Sequence, residues 1–455
     1  MLLVRDLREN LIKFYSLLVK KNTKWNSAII ITYIDCITVL NSKPMKNFIL
    51  VLFVLPFLGY AQTISLQGEL LTGNNGTDVW EYIDPNNGNV YAIVGGNGMS
   101  VVDVTDATNP TEVAHLTSVP GFDVKVWQNY VYCVTGGSGT ASIVDIADPT
   151  NPVIVGTFPS SHNLFISEDG IMYASFPSLT IYDLNPDPLN PTVLTVVGSE
   201  GHDATVRGDL LIDCHGFAGT NLYDVSDPAS PVLISTITDP TITYHHQGEV
   251  SSDGNYLYIN DELSNNPTPD ISVWDISDRA NPVRVSDFAD QATTHNMYVI
   301  GDFAYVSYYT AGLRIFDISD PSQLVLADEY DTNPASGEGF EGAFGVYPSA
   351  VTGNIYINDS DGVFVFGFDA LASVNDADSG LSFAMSPNPA TDRTVLSLEN
   401  DLVTSVKVHS MLGTRLFSED LQNGLSTYAL DLSVFAAGVY FVTVNETQTK
   451  KIIVN

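Results

Sequence analysis

A phrase of about ten residues recurs along this chain and constrains its fold more than any other feature. The copies read VVDVTDATNP (101–110), IVDIADPTNP (143–152), LYDVSDPASP (222–231), VWDISDRANP (273–282) and IFDISDPSQL (315–324). A looser copy spans 181–191, and VFVFGFDA (363–370) has lost the acidic residue. The shared position is held by Asp103, Asp145, Asp183, Asp224, Asp275, Asp317 and, in the seventh unit, Gly367. Spacings of 38 to 51 residues between such short units predict a β-propeller with seven blades.

Each unit has the pattern of four short β-strands. The sixth unit reads HNMYVIG, DFAYVSYY, GLRIFDIS and LVLADEY, and Gly, Asp or Pro stands at the breaks between these segments. The segments are rich in Val, Ile, Tyr and Phe and alternate apolar with polar or small residues. Asp-Pro after the third segment predicts a turn that the Asp carboxylate caps, because Asp bonds to its own backbone and Pro presets φ. We interpret the repeated Asp residues as turn formers rather than metal ligands.

The ends of the repeat region predict how the ring closes. The seventh unit ends at about Asp369 and has no outer strand of its own. The segment ISLQGELL (64–71) resembles the outer strands PTEVAHL and PVIVGTF. We therefore expect it to pair with blade seven, which would close the ring.

Sequence composition divides the chain into five parts. MKNFILVLFVLPFLGYAQ has a basic start, an apolar run and a small-residue end, which is the pattern of a secretory signal peptide cleaved after Ala61. Because a signal peptide belongs at an N-terminus, we interpret the preceding residues as an extension from a start codon assigned too early, with Met45 as the initiator. The predicted parts are the extension (1–44), the signal peptide (45–61), an all-β seven-bladed propeller (62–370), a linker (371–383) and a small β-sandwich (384–455).

Charge and cysteine content narrow the function classes. Eight of the 18 Lys and Arg precede Gln62, which leaves 10 basic residues against 50 acidic ones in the remainder. This excess of negative charge argues against a nucleic acid or an anionic membrane as partner. Cys133 and Cys214 fall in the second strands of blades two and four, which are not neighbours. We expect buried free thiols rather than a disulfide.

The last 70 residues resemble a known export signal. Pro387-Asn388-Pro389, the Leu412-Gly413 turn, Gly438-Val439-Tyr440 and Lys450-Lys451-Ile452-Ile453-Val454 follow one another up to the C-terminus. In order and position they are similar to the type A C-terminal sorting domain of proteins exported by the type IX secretion system. The resemblance implies recognition by that machinery, passage across the outer membrane and attachment to surface lipopolysaccharide. The expected location is extracellular, at the outer-membrane surface.

The propeller also resembles a family. The segments that carry the likeness are GHDATVRGDLLIDCHGF (201–217), HHQGEVSSDGNYLYINDE (245–262), THNMYVIGDFAYVSYYTAGLRIFDIS (294–319) and GAFGVYPSAVTGNIYINDSDGVFVF (342–366). They are similar to the LVIVD repeats of bacterial and archaeal surface proteins, and more narrowly to the choice-of-anchor B family. This resemblance implies a propeller and a surface location, but it brings no assigned catalytic residues.

Four of the eight histidines occupy one repeat-equivalent place, the start of the first strand of a blade. They are His162, His202, His246 and His295, in blades three to six. Each histidine is the first residue of a polar pair whose second residue is Asn, Asp or Gln. In blades one and two, Asp78 and Asp123 hold the second position of this pair. In blade seven, Glu341 lies near the first position. Because first strands line the central channel, equivalent positions form a ring at one level.

Two interpretations of this ring stay open. The polar side chains could bond to the neighbouring blade and stitch the ring together. Alternatively, they could hold a divalent metal, for which zinc, manganese or iron suits mixed nitrogen and oxygen ligands better than calcium. The metal candidates are His162, His202, His246 and His295; the ligand-binding candidates are His245, Gln247, Asp261, Glu262 and Asn296; the catalytic candidates are Glu262 and Glu341.

The resulting functional hypothesis is a secreted, surface-attached binding module. It would recognise a protein, a glycan or a small ligand through the channel mouth or through the blade-five loop DELSNNPTPD (261–270). The alternative is a metal-dependent extracellular hydrolase or lyase with the four histidines as ligands and Glu262 or Glu341 as base. The fold alone does not decide between them.

Overall fold

The computed structural model describes residues 63–198, 201–263, 268–290, 292–368, 371, 383–398, 402–409, 415–435, 438–445 and 448–454. The predicted N-terminal extension, the signal peptide and the interior of the linker lie outside these residues. Within the described part of the chain, no helix has the length and apolar character needed to cross a membrane.

The first 28 described strands form seven four-stranded antiparallel sheets, which are the blades. Blades one to three contain β2 (Val79–Ile83), β3 (Val90–Gly96), β4 (Gly98–Asp103), β5 (Thr111–Leu116); β6 (Asp123–Trp127), β7 (Tyr130–Val134), β8 (Thr140–Asp145), β9 (Val153–Pro159); and β10 (Asn163–Ile166), β11 (Ile171–Ser175), β12 (Leu179–Asp183), β13 (Thr192–Val197). Blades four and five contain β14 (Ala204–Arg207), β15 (Leu210–Cys214), β16 (Thr220–Asp224), β17 (Val232–Ile237); and β18 (His245–Val250), β19 (Tyr256–Asp261), β20 (Ile271–Asp275), β21 (Val283–Phe288). Blades six and seven contain β22 (Met297–Ile300), β23 (Phe303–Tyr308), β24 (Gly312–Asp317), β25 (Val325–Tyr330); and β26 (Ala343–Pro348), β27 (Asn354–Asp359), β28 (Gly362–Phe368) with β1 (Ile64–Leu71).

The blades are arranged in a closed ring. The first strands β2, β6, β10, β14, β18, β22 and β26 each contact the first strand of the next blade, and β26 contacts β2. The apolar core is divided among the junctions between blades; one cluster, for example, joins Trp127 and Tyr132 of blade two to Leu164 and Met172 of blade three. Inner strands are therefore buried on both faces, whereas outer strands such as β21 alternate between exposed and half-buried residues.

The predicted ring closure is confirmed. Strand β1 pairs antiparallel with β28, from Ile64 opposite Phe368 to Leu71 opposite Gly362. The outer strand of blade seven thus comes from the opposite end of the propeller segment. The prediction of an all-β seven-bladed propeller is correct.

The repeated Asp residues form turns, as predicted. In each of the six phrases that retain the Asp, its carboxylate accepts a hydrogen bond from the backbone N–H two residues later, at 2.8–2.9 Å. The geometry is that of an Asx turn. Cys133 and Cys214 are buried free thiols, which also agrees with the sequence.

The C-terminal residues form a small β-sandwich. Its strands are β29 (Phe383–Ser386), β30 (Arg393–Leu398), β31 (Val403–His409), β32 (Arg415–Leu425), β33 (Thr427–Asp431), β34 (Gly438–Val444) and β35 (Gln448–Val454). They pair in two sheets, in the orders β29-β30-β33 and β32-β31-β34-β35. Buried side chains from both sheets, among them Leu396, Val406 and Val442, form one apolar core.

Candidate functional site

The four repeat-equivalent histidines come together at one end of the channel. The ring centroids of His162 and His202 are 4.3 Å apart, those of His202 and His246 4.5 Å, and those of His246 and His295 4.4 Å. Each imidazole stands at or just before the start of a first strand, so the closed ring of blades brings them to the same level. The register deduced from the sequence therefore places all four in one cluster.

Two phenylalanines complete this circle of side chains. Phe344 of blade seven packs on His295 at 4.0 Å and on Phe122 of blade two at 5.7 Å, and Phe122 packs on His162 at 5.0 Å. The sequence had placed Glu341 near this position of blade seven. The structure instead leaves Glu341 exposed and puts Phe344 in the circle. A register shift between Ala343 and Gly345 separates the two positions.

In blades one, two and five, the second position of the pair bonds across a blade junction. The carboxylate of Asp78 accepts the backbone N–H of Val124 at 3.1 Å, and that of Asp123 accepts the N–H of Leu164 at 2.7 Å. In blade five, Gln247 Oε1 accepts the N–H of Met297 at 2.6 Å. In all three cases the donor belongs to the next blade. These are the hydrogen bonds between blades that the first interpretation of the ring predicted. These side chains hold the ring together.

Most of the ligand-binding candidates on blades five and six also form hydrogen bonds within the propeller framework. Asn296 donates to Gln247 at 3.4 Å. The carboxylate of Asp261 accepts three backbone N–H groups, at 2.5, 2.9 and 3.1 Å. His245 Nδ1 bonds to Thr220 Oγ1 of blade four at 2.8 Å, so His245 does not join the histidine circle. Of the five candidates, Glu262 is the one that the structure brings to the histidine nitrogens.

Glu262 faces two of the histidines. Its Oε2 lies 3.6 Å from His246 Nε2, and its Oε1 lies 4.0 Å from His295 Nε2. The hydroxyl of Tyr309 donates to Oε1 at 2.6 Å and so orients the carboxylate. Tyr309 itself has a φ of 24°, in the left-handed region that bulky residues rarely occupy. Such strain is concentrated at functional sites in proteins.

Backbone carbonyls orient two of the imidazoles. His162 Nδ1 donates to Gly136 O at 2.9 Å, and His295 Nδ1 donates to Phe344 O at 2.7 Å. Because a carbonyl only accepts, Nδ1 carries the proton, and in a neutral imidazole the lone pair is then on Nε2. This is the arrangement that orients metal-ligating histidines in general. His246 Nδ1 is buried and has no hydrogen-bond partner in the described structure.

Two overlapping sets of side chains have the composition of a metal site. His162, His202 and Asp203 form one set, and His202, His246 and Glu262 form the other; within each set the ligand atoms lie within 4.8 Å of one another. Each set offers two imidazole nitrogens and one carboxylate oxygen. That combination suits zinc, manganese or iron.

Burial keeps the deeper imidazoles neutral. It lowers the pKa of His246 to about 3 and that of His295 to about 3. For Asp203, burial would raise the pKa, but the hydrogen bond and the charge of His202 oppose it, and the pKa stays below its usual range. A neutral imidazole is the form that binds a metal.

A cavity of about 430 Å³ continues from the histidines into the channel. Lys125 lies there between the carboxylates of Asp78 and Asp123, with both of which it forms buried ion pairs. Asn163 Oδ1 is buried there without a hydrogen-bond partner in the described structure. Sequence analysis did not identify Lys125, because the other blades have no basic residue at the equivalent position.

Aromatic residues surround the mouth. Tyr244 packs on His202 at 5.1 Å and on Phe217 at 4.9 Å, while Tyr309 packs on His295 at 4.9 Å and on Phe340 at 5.4 Å. Phe217 and Phe340 are 77% and 59% exposed. Both stand in loops at the end of the channel where the histidines lie.

Two protein-family models match this chain, one in the propeller and one in the C-terminal β-sandwich. The model of the LVIVD repeat matches residues 87–117, 122–159 and 293–332, in blades one, two and six. The model of the secretion system C-terminal sorting domain matches residues 384–455. No curated protein matches the chain. The chain is therefore an LVIVD-repeat propeller with a type IX sorting domain, exported and attached at the cell surface.

Proposed function

We propose that this propeller is a recognition module on the cell surface and that its channel mouth binds a divalent transition-metal ion. His202, His246 and Glu262 would hold the ion, and its remaining coordination positions would face an extracellular ligand. The observation that carries the proposal is the convergence of two nitrogen ligands and one oxygen ligand within 4.8 Å of one another.

The distances in this set suit a small ion. With metal–ligand bonds of about 2.0–2.1 Å, two ligands of a tetrahedral ion are about 3.4 Å apart. His246 Nε2 and Glu262 Oε2 are 3.6 Å apart, so they need to move little. The hydroxyl of Tyr309 also orients Glu262. The alternative set shares His202 but uses Asp203 as its carboxylate. Among the described contacts, no hydroxyl donates to Asp203 in the same way.

Three protein ligands leave at least one coordination position open. The exposed Phe217 and Phe340 flank that opening and supply apolar surface to a partner, since aromatic residues dominate the energetics of interfaces. The proposed partner is an extracellular protein or glycan. The blade-five loop stays a predicted part of the recognition surface; its residues 264–267 lie outside the described structure.

The geometry favours binding over the enzymatic alternative. A metal-dependent hydrolase is commonly assisted by a base beside the ion that is not itself a ligand. Of the two predicted bases, Glu262 stands in the ligand set and Glu341 is exposed on the surface. Attachment to lipopolysaccharide remains a prediction that follows from the sorting-domain resemblance.

The test is the metal content of the secreted full-length protein, purified without a metal-affinity tag. We expect about one equivalent of zinc, manganese or iron after dialysis. His202→Ala and Glu262→Gln should each weaken binding by more than about tenfold. His115→Ala is the matched control, because His115 lies on the outer strand β5 and bonds to Ser100 and Glu112. Thermal melting of each variant checks that it is folded. A folded wild type that holds none of the three ions and takes none up on titration would contradict the proposal.

A further inference from the structure

The channel has a second polar site at the end opposite the histidines. Arg207 is the last residue of β14, and His202 stands just before the start of that strand. At about 3.3 Å per residue, five residues of extended chain separate the two by roughly 16 Å. Arg207 therefore lies far beyond the reach of the metal ligands at the mouth.

Arg207 spans the channel at this end. From blade four, its Nη2 donates to the carbonyl of Val299 in blade six at 3.1 Å. Blade five, which lies between them, contributes Glu249, whose Oε2 is 3.7 Å from Nη2. That separation is too long for a hydrogen bond, so the two charges attract each other but the donors of Arg207 are not used up.

One end of the guanidinium has no partner. Arg207 Nη1 is buried and makes no hydrogen bond in the described structure. A buried donor of a charged group left unpaired is costly, and its usual explanation is a bound water or ion. The other cation of the channel, Lys125, is already neutralised by two carboxylates, whereas Arg207 faces one.

A cavity of about 340 Å³ is lined in part by Arg207. Its polar lining is Thr205, Arg207, Glu249 and Tyr298, and its apolar lining is Val206 and Val250 with their neighbours. Phe165, Thr205 and Tyr298 also line the cavity below the histidines. These three residues therefore stand between the two polar compartments of one channel.

We propose that this cavity binds a small oxyanion on the guanidinium of Arg207. A planar guanidinium matches the paired oxygens of a phosphate or carboxylate better than any other side chain. The anion would accept a hydrogen bond from Nη1. It would also bring a negative charge into contact with the guanidinium, which the Glu249 carboxylate does not reach closely. This site is separate from the metal site and does not depend on the proposed function.

The test is calorimetric titration of the secreted full-length protein with inorganic phosphate and, separately, with acetate. We expect binding with a Kd of about 10 mM or tighter and a matching rise in Tm. The stronger of the two ligands identifies whether phosphate or carboxylate is preferred. Arg207→Gln should weaken binding at least tenfold, and the surface variant Arg279→Gln should not. Binding that persists in His202→Ala places the anion away from the mouth.

A wild type that binds neither anion, or an Arg207→Gln variant that binds as well as the wild type, would overturn the proposal. If Arg207→Gln does not fold, the same titration of the Glu249→Gln variant tests the proposal instead. Measured at pH 8, where the Glu249 carboxylate is ionised, this change keeps the guanidinium and removes the competing negative charge, so tighter anion binding supports the site. Unchanged or weaker binding by Glu249→Gln refutes it.

Discussion

The carboxyl group of Glu249 should make the stability of the propeller depend on pH. Its side chain is buried, and burial raises its pKa from 4.5 to about 7, which the nearby Arg207 only partly opposes. Between these values the unfolded chain releases a proton that the folded chain keeps. Folding stability from this group is therefore fully present below about pH 4.5 and is lost as the pH rises through 7.

The size of the effect follows from the two pKa values. Integrating the proton linkage between pH 5 and pH 8 gives a loss of roughly 2–3 kcal/mol in the free energy of unfolding. Other groups also titrate over this range, so the absolute pH dependence of the wild type is not informative. Glu249→Gln carries no titrating group, and subtracting its stability from that of the wild type isolates the contribution of Glu249.

The assay is urea unfolding of wild type and Glu249→Gln at pH 5 and at pH 8. The difference in unfolding free energy between the two proteins should change by roughly 2–3 kcal/mol, because the wild type becomes less stable at pH 8. In thermal melts this corresponds to roughly 5 °C. Any cost of leaving Arg207 unpaired is the same at both pH values and cancels. A difference that stays constant within about 0.5 kcal/mol would show that the reasoning from burial is wrong.

Three further predictions concern other parts of the structure. Tyr309→Phe removes the hydroxyl that orients Glu262, so zinc affinity should fall by about tenfold in titrations while Tm changes little. Asp123→Ala leaves Lys125 with one carboxylate and the N–H of Leu164 unpaired, and urea unfolding should show a loss of about 3 kcal/mol or more. Deleting 64–71 exposes the edge of β28, and size-exclusion chromatography should then show association or aggregation of a destabilised propeller; a stable monomer would contradict the role of the closing strand.

The sequence was sufficient to predict features that depend on repetition. The Asp turns, the number of blades and the pairing of β1 with β28 all follow from a pattern that recurs at equivalent places. The convergence of His202 and His246 follows from the same register. Each blade repeats one local solution, so a position deduced in one blade transfers to the next.

Features that depend on a single blade could not be predicted in this way. A register shift in β26 lies at Phe344, which stands in the circle in place of Glu341. Sequence spacing does not reveal where such bulges occur. Arg207 reaches across to blade six with a long side chain, and no repeat pattern signals a contact between blades that are not adjacent.

The closing strand also determines how the propeller would bear a mechanical load. A tether on the C-terminal side of the propeller pulls on the end of β28, which has β1 on one side and β27 on the other. A force along β28 must break both ladders of backbone hydrogen bonds at once, in shear, rather than peel away one edge strand. A ligand held at the channel mouth would therefore be connected to the cell through a strand that is paired on both sides.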